Sequence, residues 1–148
     1  MIKKVLFVAL LALGMTQMEA QEYRVVTSVE SIVPNGLGRS RIVMHNENKD
    51  YKEYTSTQTD EDNTRNKSKR GDIRVKNFSE TKLLNFYNIG GIRFQNIAAN
   101  DAVMTSKIND MVAQGWELAF VNTSVESEGG KGDGKGIFIT RYTFKRSL

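Results

Sequence analysis

The sequence predicts an α+β fold: an antiparallel sheet of four or five strands packed on one main helix, with a polar charged excursion from the sheet. Two stretches, residues 22–33 and 137–144, are rich in the β-branched and aromatic residues that favour strands. Between them, residues 100–114 repeat apolar side chains at helical spacing. With 148 residues, 39% of them hydrophobic, the chain has the length and composition of one globular domain.

Residues 1–20 have the organisation of a secretory signal peptide. Two lysines precede an apolar run from Val5 to Gly14, which is too short to span a bilayer as a helix. We expect cleavage after Ala20, with Gly14 as the alternative site. The predicted location is therefore periplasmic or extracellular, with no membrane span after cleavage.

The mature chain is expected to carry little net charge. Removing Lys3, Lys4 and Glu19 lowers the basic residues from 21 to 19 and the acidic residues from 17 to 16, a net charge of +3. So mild a charge does not indicate a nucleic-acid partner. The absence of cysteine excludes disulfides, thiolate nucleophiles and zinc-ribbon sites. A core must therefore stabilise the fold.

The first part of the mature chain predicts a β-hairpin. Residues Glu22 to Val33 alternate apolar and polar side chains, and Arg41 to Met44 form a second apolar stretch. The tripeptide Pro34-Asn35-Gly36 between them is a strong turn signal. The two strands are expected to pair across a long, glycine-containing loop.

Residues 46–70 differ in character from both flanks. Tyr51 and Tyr54 are their only hydrophobic residues, and acidic and basic side chains cancel. Such a composition is typical of a mobile surface loop or of an extended polar hairpin with a disordered tip. A linker between two domains is a further interpretation, but neither flank is large enough for a complete core. Residues 21–148 are therefore taken as one domain.

The middle of the chain predicts a second, shorter helix. Ile73 and Val75 suggest a short strand. Ser79 can then cap a helix over Glu80 to Asn88, which would close one end of the sheet. The segment from Ile92 to Ile97 fits either a short strand or an extended loop.

The main helix is the clearest local signal. Asn100 or Asp101 can cap a helix that runs to about Gln114, where Gly115 occupies the position that favours a left-handed residue. Its apolar residues share one face: Met104, Ile108, Met111 and Val112.

Two strands follow this helix. They cover Trp116 to Val125 and Ile137 to Phe144, and they are expected to pair antiparallel, with the N-terminal strand beside them. On the first strand the predicted core face carries Trp116, Leu118 and Phe120. On the last strand it carries Phe138, Tyr142 and Phe144.

Two candidate sites emerge from the residues. Arg39, Ser40 and Arg41 follow a glycine-containing turn, where guanidinium groups and exposed backbone amides suit a sulfate, phosphate or carboxylate. A solvated turn is the alternative interpretation. Trp116 is either a core anchor or an exposed aromatic residue that stacks on a sugar or a peptide.

No pattern predicts a catalytic residue, a metal site or a cofactor. The run from Gly129 to Gly136 approaches a phosphate-binding loop, but it ends in glycine where a hydroxyl residue is needed and a strand follows it. His45 is the only histidine and has no identifiable nucleophile beside it. One enzymatic alternative stays open: a small hydrolase or lyase that pairs Glu117 with Arg39 or Arg41.

The stretch from Ile108 to Val121 (INDMVAQGWELAFV) resembles a small bacterial family known only as a domain of unknown function. In that family an opening strand, here Glu22 to Val26, is followed by a helix. A G-W-E-L step, here Gly115 to Leu118, then leads into a hairpin whose last strand ends in basic residues, here Ile137 to Arg146. The segment from Asn46 to Asn100 is an insertion relative to that pattern. The whole chain also looks like uncharacterised secreted proteins of Gram-negative bacteria.

Neither resemblance implies an activity, a cofactor or a catalytic residue. The functional expectation is a secreted or periplasmic non-catalytic protein that serves as a binding or envelope-accessory module. Its partner would be another envelope protein or an anionic ligand. The alternatives are the small hydrolase or lyase and a structural subunit of an envelope assembly.

Overall fold

The computed structural model describes residues 20–32, 39–125 and 136–148. Its fold is α+β, as the sequence predicts. The strands are β1 (Gln21–Ser31), β2 (Arg41–His45), β3 (Phe78–Lys82), β4 (Tyr87–Asn88), β5 (Gly91–Ile92), β6 (Glu117–Val125) and β7 (Ile137–Ser147). The helices are a 3-10 helix (Tyr51–Tyr54), α1 (Arg70–Ile73) and α2 (Phe94–Ala113). The predicted signal peptide, the Pro34-Asn35-Gly36 turn and most of the glycine-rich run lie outside the described residues.

The main sheet has five antiparallel strands in the order β3-β2-β1-β7-β6. β1 pairs with β7 along its whole length, from Gln21 opposite Ser147 to Ser31 opposite Ile137. This confirms the prediction that the N-terminal strand lies beside the C-terminal hairpin. The separate pair β4 and β5 forms a small hairpin just before α2.

Helix α2 begins at Phe94, ahead of the predicted start at Asn100. Asn100 is buried inside the helix and does not cap it, because its side chain is bonded to the backbone of Leu84. The C-terminal end agrees with the prediction: Gly115 has φ +83°, and the Gly115 and Trp116 amides donate to carbonyls of the last turn. These two bonds form a Schellman motif.

The core lies between α2 and one face of the sheet. Its fully or nearly buried hydrophobic residues are Val26, Ile42, Leu83, Met104, Met111, Trp116 and Phe144. Ile108 packs against this cluster, but Val112 is exposed, contrary to the prediction. At 3.6 residues per turn, Val112 is rotated well away from Met104 and Met111 and leaves the buried stripe.

The predicted helix from Glu80 to Asn88 is wrong. Residues Phe78–Lys82 form β3, which pairs antiparallel with β2 from Arg41 opposite Lys82 to His45 opposite Phe78. Every β3 side chain is exposed, so apolar burial does not hold this strand. Backbone pairing with β2 decides its structure over local helix propensity.

The predicted short strand at Ile73 and Val75 is also wrong. Ile73 is the last residue of the one-turn helix α1, and Val75 lies in the irregular segment after it.

The charged residues 46–70 form most of a loop between β2 and β3, and not an extension of the β2 hairpin. The loop is exposed but internally bonded. The Glu47 carboxylate accepts the Asn77 amide at 2.8 Å, and the Tyr54 hydroxyl donates to the Asp72 carbonyl at 3.0 Å. In the described part of the chain, no helix combines the length and the apolarity needed to cross a bilayer.

One strand face was predicted wrongly. The pairing of β6 with β7 shifts register between Leu118 and Phe120, as a β-bulge does. A shift of one residue turns the following side chains to the opposite face. Phe120 is therefore 62% exposed, whereas Trp116 is 2% exposed.

Candidate functional site

A cleft of about 690 Å³ opens where the β2 and β3 strands, the β4–β5 hairpin and the first turn of α2 meet. Its volume lies within the range typical of small-molecule sites. Four cationic side chains line it: Arg39, Arg41, Lys82 and Arg93. Among the described residues that line it, none is aspartate or glutamate. We call this site the cationic cleft.

The predicted anion-site residues Arg39, Ser40 and Arg41 all line the cationic cleft, but they have different roles. Ser40 is buried, and its hydroxyl donates to Oδ1 of Asn85 at 2.7 Å and accepts the Ser31 amide at 3.1 Å. Its side chain therefore holds the wall of the cleft. The two arginines are left as the groups that can face a ligand.

Asn85 and Asn96 extend this polar wall. The side-chain amide of Asn96 donates to the backbone carbonyl of Asn85 at 2.7 Å, which connects the segment after β3 to the first turn of α2. Asn100, one turn further along the helix, binds the Leu84 amide and carbonyl, both at 2.8 Å, and donates to the Glu30 carboxylate at 2.8 Å. Within the described residues, no buried side-chain nitrogen or oxygen lacks a partner.

The cations of the cleft come from three elements. Arg41 is the one with a carboxylate partner within the described chain, since its Nε lies 3.7 Å from Glu80. Arg41 also donates to the Ser40 carbonyl at 3.0 Å. Pairing strand β3 with β2 places Lys82 directly opposite Arg41. Like charges held this close on one cleft favour an anionic occupant.

Arg93 joins the cleft from the start of α2. Its backbone amide donates to the Phe86 carbonyl at 2.7 Å, and its backbone carbonyl accepts the backbone amide of Asn96 at 3.0 Å. Arg93 is the N-cap residue, without a side-chain cap bond, and the first turn contains no acidic residue. The partial positive charge of the helix N-terminus thus adds to the guanidinium group.

The rest of the cleft lining is apolar or carries amides. The apolar side chains are Leu83, Leu84, Tyr87 and Ile89, and Asn88 adds an amide from the β4–β5 hairpin. The cleft can therefore bind an anion that carries an uncharged portion, with the charge held by the cations and the remainder against Tyr87 and the leucines.

Trp116 is not an exposed aromatic contact, because it is 2% exposed in the core cluster and two guanidinium groups lie over its ring. The Arg24 and Arg146 guanidinium carbons lie 4.9 Å and 4.4 Å from the ring centroid. Arg146 in turn donates from Nη2 and Nε to one carboxylate oxygen of Glu22, at 2.7 Å and 2.9 Å. The ring therefore belongs to the core, which agrees with the interpretation of Trp116 as a core anchor.

The structure does not bring Glu117 to the arginines named for a hydrolase. Glu117 is exposed on β6, where it pairs with Lys145 at 3.5 Å. β1 and β7 separate β6 from β2, a distance of roughly 14 Å at the usual strand spacing. Glu117 therefore forms no catalytic centre with Arg39 or Arg41.

His45 is also accounted for by local structure, since its Nδ1 lies 2.9 Å from the Glu47 carbonyl. Within the described ranges, no group of three or more histidine, aspartate or glutamate side chains is placed to hold a metal ion.

The sequence analysis assigned no site role to Asn85, Asn88 and Asn96, which line the cleft, and it missed the cations Lys82 and Arg93. A signal for the two cations exists: no acidic residue occurs between Glu80 and Asp101, although that stretch contains both of them. Comparison with protein-family models, curated proteins and solved structures finds no match. A functional proposal must therefore be based on the chemistry of the cationic cleft.

Proposed function

We propose that this protein is an exported, non-catalytic binding module that holds an anionic ligand in the cationic cleft. The single observation that supports it most is the set of four cations, Arg39, Arg41, Lys82 and Arg93, on a cleft whose described lining has no carboxylate. Charge-assisted hydrogen bonds from arginine suit the oxygens of phosphate, sulfate and carboxylate groups.

The rigid wall of the cleft also supports binding. Ser40, Asn85 and Asn100 hold the segment after β3 through side-chain to backbone bonds. A cleft fixed in this way loses little conformational entropy when a ligand binds. The cations therefore need little rearrangement to meet an anion.

The test is an NMR titration of the mature protein with inorganic phosphate and with glycerol phosphate. Amide signals of Ser40, Lys82 and Arg93 should shift together. Arg93→Gln and Lys82→Gln should each weaken binding at least about tenfold, since hydrogen bonds to charged groups contribute about 1.5–3 kcal/mol.

Arg141→Gln is the matched control, because Arg141 is exposed on β7 away from the cleft. It should leave the affinity unchanged. Shifts that spread over the whole surface, or equal losses in Arg93→Gln and Arg141→Gln, would contradict the proposal.

Export is the second part of the proposal and rests on the signal-like residues 1–20. Expression of the full chain in a Gram-negative host should yield an exported protein, and its intact mass should correspond to a chain starting at Gln21. A mass corresponding to a start at Met15 would instead indicate the alternative site after Gly14. A full-length cytoplasmic product would contradict export.

A further inference from the structure

One residue of the cationic cleft, Ile89, and the two chain neighbours of Arg93, Ile92 and Phe94, expose apolar side chains to solvent. Ile89, in the turn of the β4–β5 hairpin, is 83% exposed, and Phe94, at the start of α2, is 75% exposed. Ile92 on β5 is also more than half exposed. Single exposed side chains of this size are common, whereas a contiguous exposed group of them marks an interaction surface. We call these three residues the apolar tip.

The apolar tip and the cations lie side by side. A methyl group added at Gly90 would lie 3.3 Å from Nη2 of Arg93, so the guanidinium group sits directly against the hairpin turn. Arg93 also lies between Ile92 and Phe94 in the chain. Lys82 contributes a second charge from the neighbouring strand β3.

This combination matches the boundary of an anionic bilayer. Apolar side chains gain free energy by entering the acyl region, while adjacent cations meet the phosphates of the headgroups. A free anion in the cleft would satisfy the cations but leave Phe94 and Ile92 in water. A nucleic acid base can stack on Phe94, but the aliphatic side chains of Ile89 and Ile92 offer bases no stacking surface and would stay in water.

We propose that the anion taken by the cleft is the phosphate of a lipid headgroup, and that the apolar tip enters the membrane surface beside it. The proposal rests on the function proposed above and names the source of its ligand. The protein then binds as a peripheral module, with the β4–β5 hairpin and the first turn of α2 facing the lipid.

The test is co-sedimentation of the mature protein with vesicles. Vesicles of phosphatidylcholine mixed with phosphatidylglycerol should bind the protein, vesicles of phosphatidylcholine alone should bind it weakly, and high salt should weaken binding. Arg93→Gln should lower the partition coefficient about fivefold, since each cation near an anionic surface contributes about 1 kcal/mol. Ile89→Ser and Phe94→Ser should each lower it about tenfold, through the lost apolar burial.

Phe120→Ser is the matched control, because Phe120 is also a phenylalanine and is 62% exposed, but it lies on the edge strand β6. It should bind vesicles like the parent protein. Circular dichroism checks that each variant is folded.

Soluble anions separate the two proposals. Phe94 does not line the cleft, so Phe94→Ser should keep its affinity for glycerol phosphate while it loses vesicle binding. Binding of glycerol phosphate without binding of the mixed vesicles would overturn the membrane proposal alone. Failure to bind either would overturn both. Tighter binding to a single-stranded oligonucleotide, unaffected by Ile89→Ser, would also overturn the membrane proposal in favour of a nucleic-acid ligand.

Discussion

The side chain of Asn100 makes the two hydrogen bonds to the Leu84 backbone that a neighbouring strand would make in a sheet. Its Oδ1 accepts the Leu84 amide and its Nδ2 donates to the Leu84 carbonyl, both at 2.8 Å, from a position inside helix α2. The segment after β3 leaves the sheet here, and among the described strands none pairs with Leu84. Because a buried polar side chain left without partners is costly, and Asn100 is 4% exposed, this contact fixes the position of one wall of the cationic cleft.

Asn100→Ala should therefore destabilise the fold. It leaves the Leu84 amide and carbonyl and the Glu30 carboxylate without this partner, and we expect a loss of about 2–4 kcal/mol in the free energy of unfolding. Urea denaturation measures it. Asn109→Ala is the matched control, since Asn109 is an exposed asparagine on the same helix. Equal stabilities of the two variants would show that the Asn100 contact is dispensable.

Arg146 should shield Trp116 from water. Arg146→Ala removes the guanidinium group 4.4 Å from the ring and both bonds to Glu22. Trp116 is the only tryptophan, so its fluorescence reports this environment directly. The emission should move to longer wavelength, and stability should fall by about 1–2 kcal/mol.

Arg141→Ala on the same strand should change neither fluorescence nor stability appreciably. An unchanged emission spectrum in Arg146→Ala would mean that other groups cover the ring.

Gly115→Ala should weaken the end of α2. Gly115 has φ +83°, a conformation that costs an L-residue with a side chain about 1–2 kcal/mol. Thermal unfolding should show this loss. Gly71→Ala provides the comparison, because a Cβ at Gly71 meets nothing within 4 Å and Gly71 lies in α1 without a positive φ. A loss in Gly71→Ala as large as in Gly115→Ala would contradict the backbone explanation.

Asp110 should make the free energy of unfolding depend on pH in the acidic range. The Lys107 side-chain hydrogen bond, followed by one from Gln114, lowers the pKa of the Asp110 carboxyl below its ordinary value. A carboxyl whose pKa is lower in the folded state stabilises that state above its unfolded pKa. This contribution is lost as pH falls through the folded pKa.

NMR titration of the Asp110 carboxyl should show the lowered pKa, and Lys107→Gln should raise it. In Asp110→Asn the decline of melting temperature in acid should become shallower. A pKa of Asp110 that does not respond to Lys107→Gln would contradict the assignment of its cause.

Local sequence signals were sufficient to predict those elements whose structure depends on residues close together in the chain. The end of α2 at Gly115 and the strands β1 and β7 were predicted correctly. The start of α2 was not, because Asn100 has the residue type of a helix cap but its partner is Leu84, sixteen positions away. A side-chain amide serves either role, and only the distant contact decides between them.

Strand β3 shows the same limit more strongly. Its residues, Phe78–Lys82, are all exposed and carry no alternating apolar pattern. The strand forms because β2 offers its backbone groups, a long-range pairing that leaves no trace in local composition. The missed strand also hid one of the four cations of the candidate site, since Lys82 reaches the cleft through this pairing.

The sequence by itself determined the fold class, the main helix with its glycine end, and the presence of two arginines beside Ser40. The tertiary structure decided that Ser40 is a buried scaffold group, that Trp116 is enclosed by Arg24 and Arg146, and that Lys82 and Arg93 join the arginines. The physical reason is one of range. Backbone preferences and apolar periodicity act between near neighbours in the chain, whereas a binding cleft is formed by groups that meet only when the strands pair.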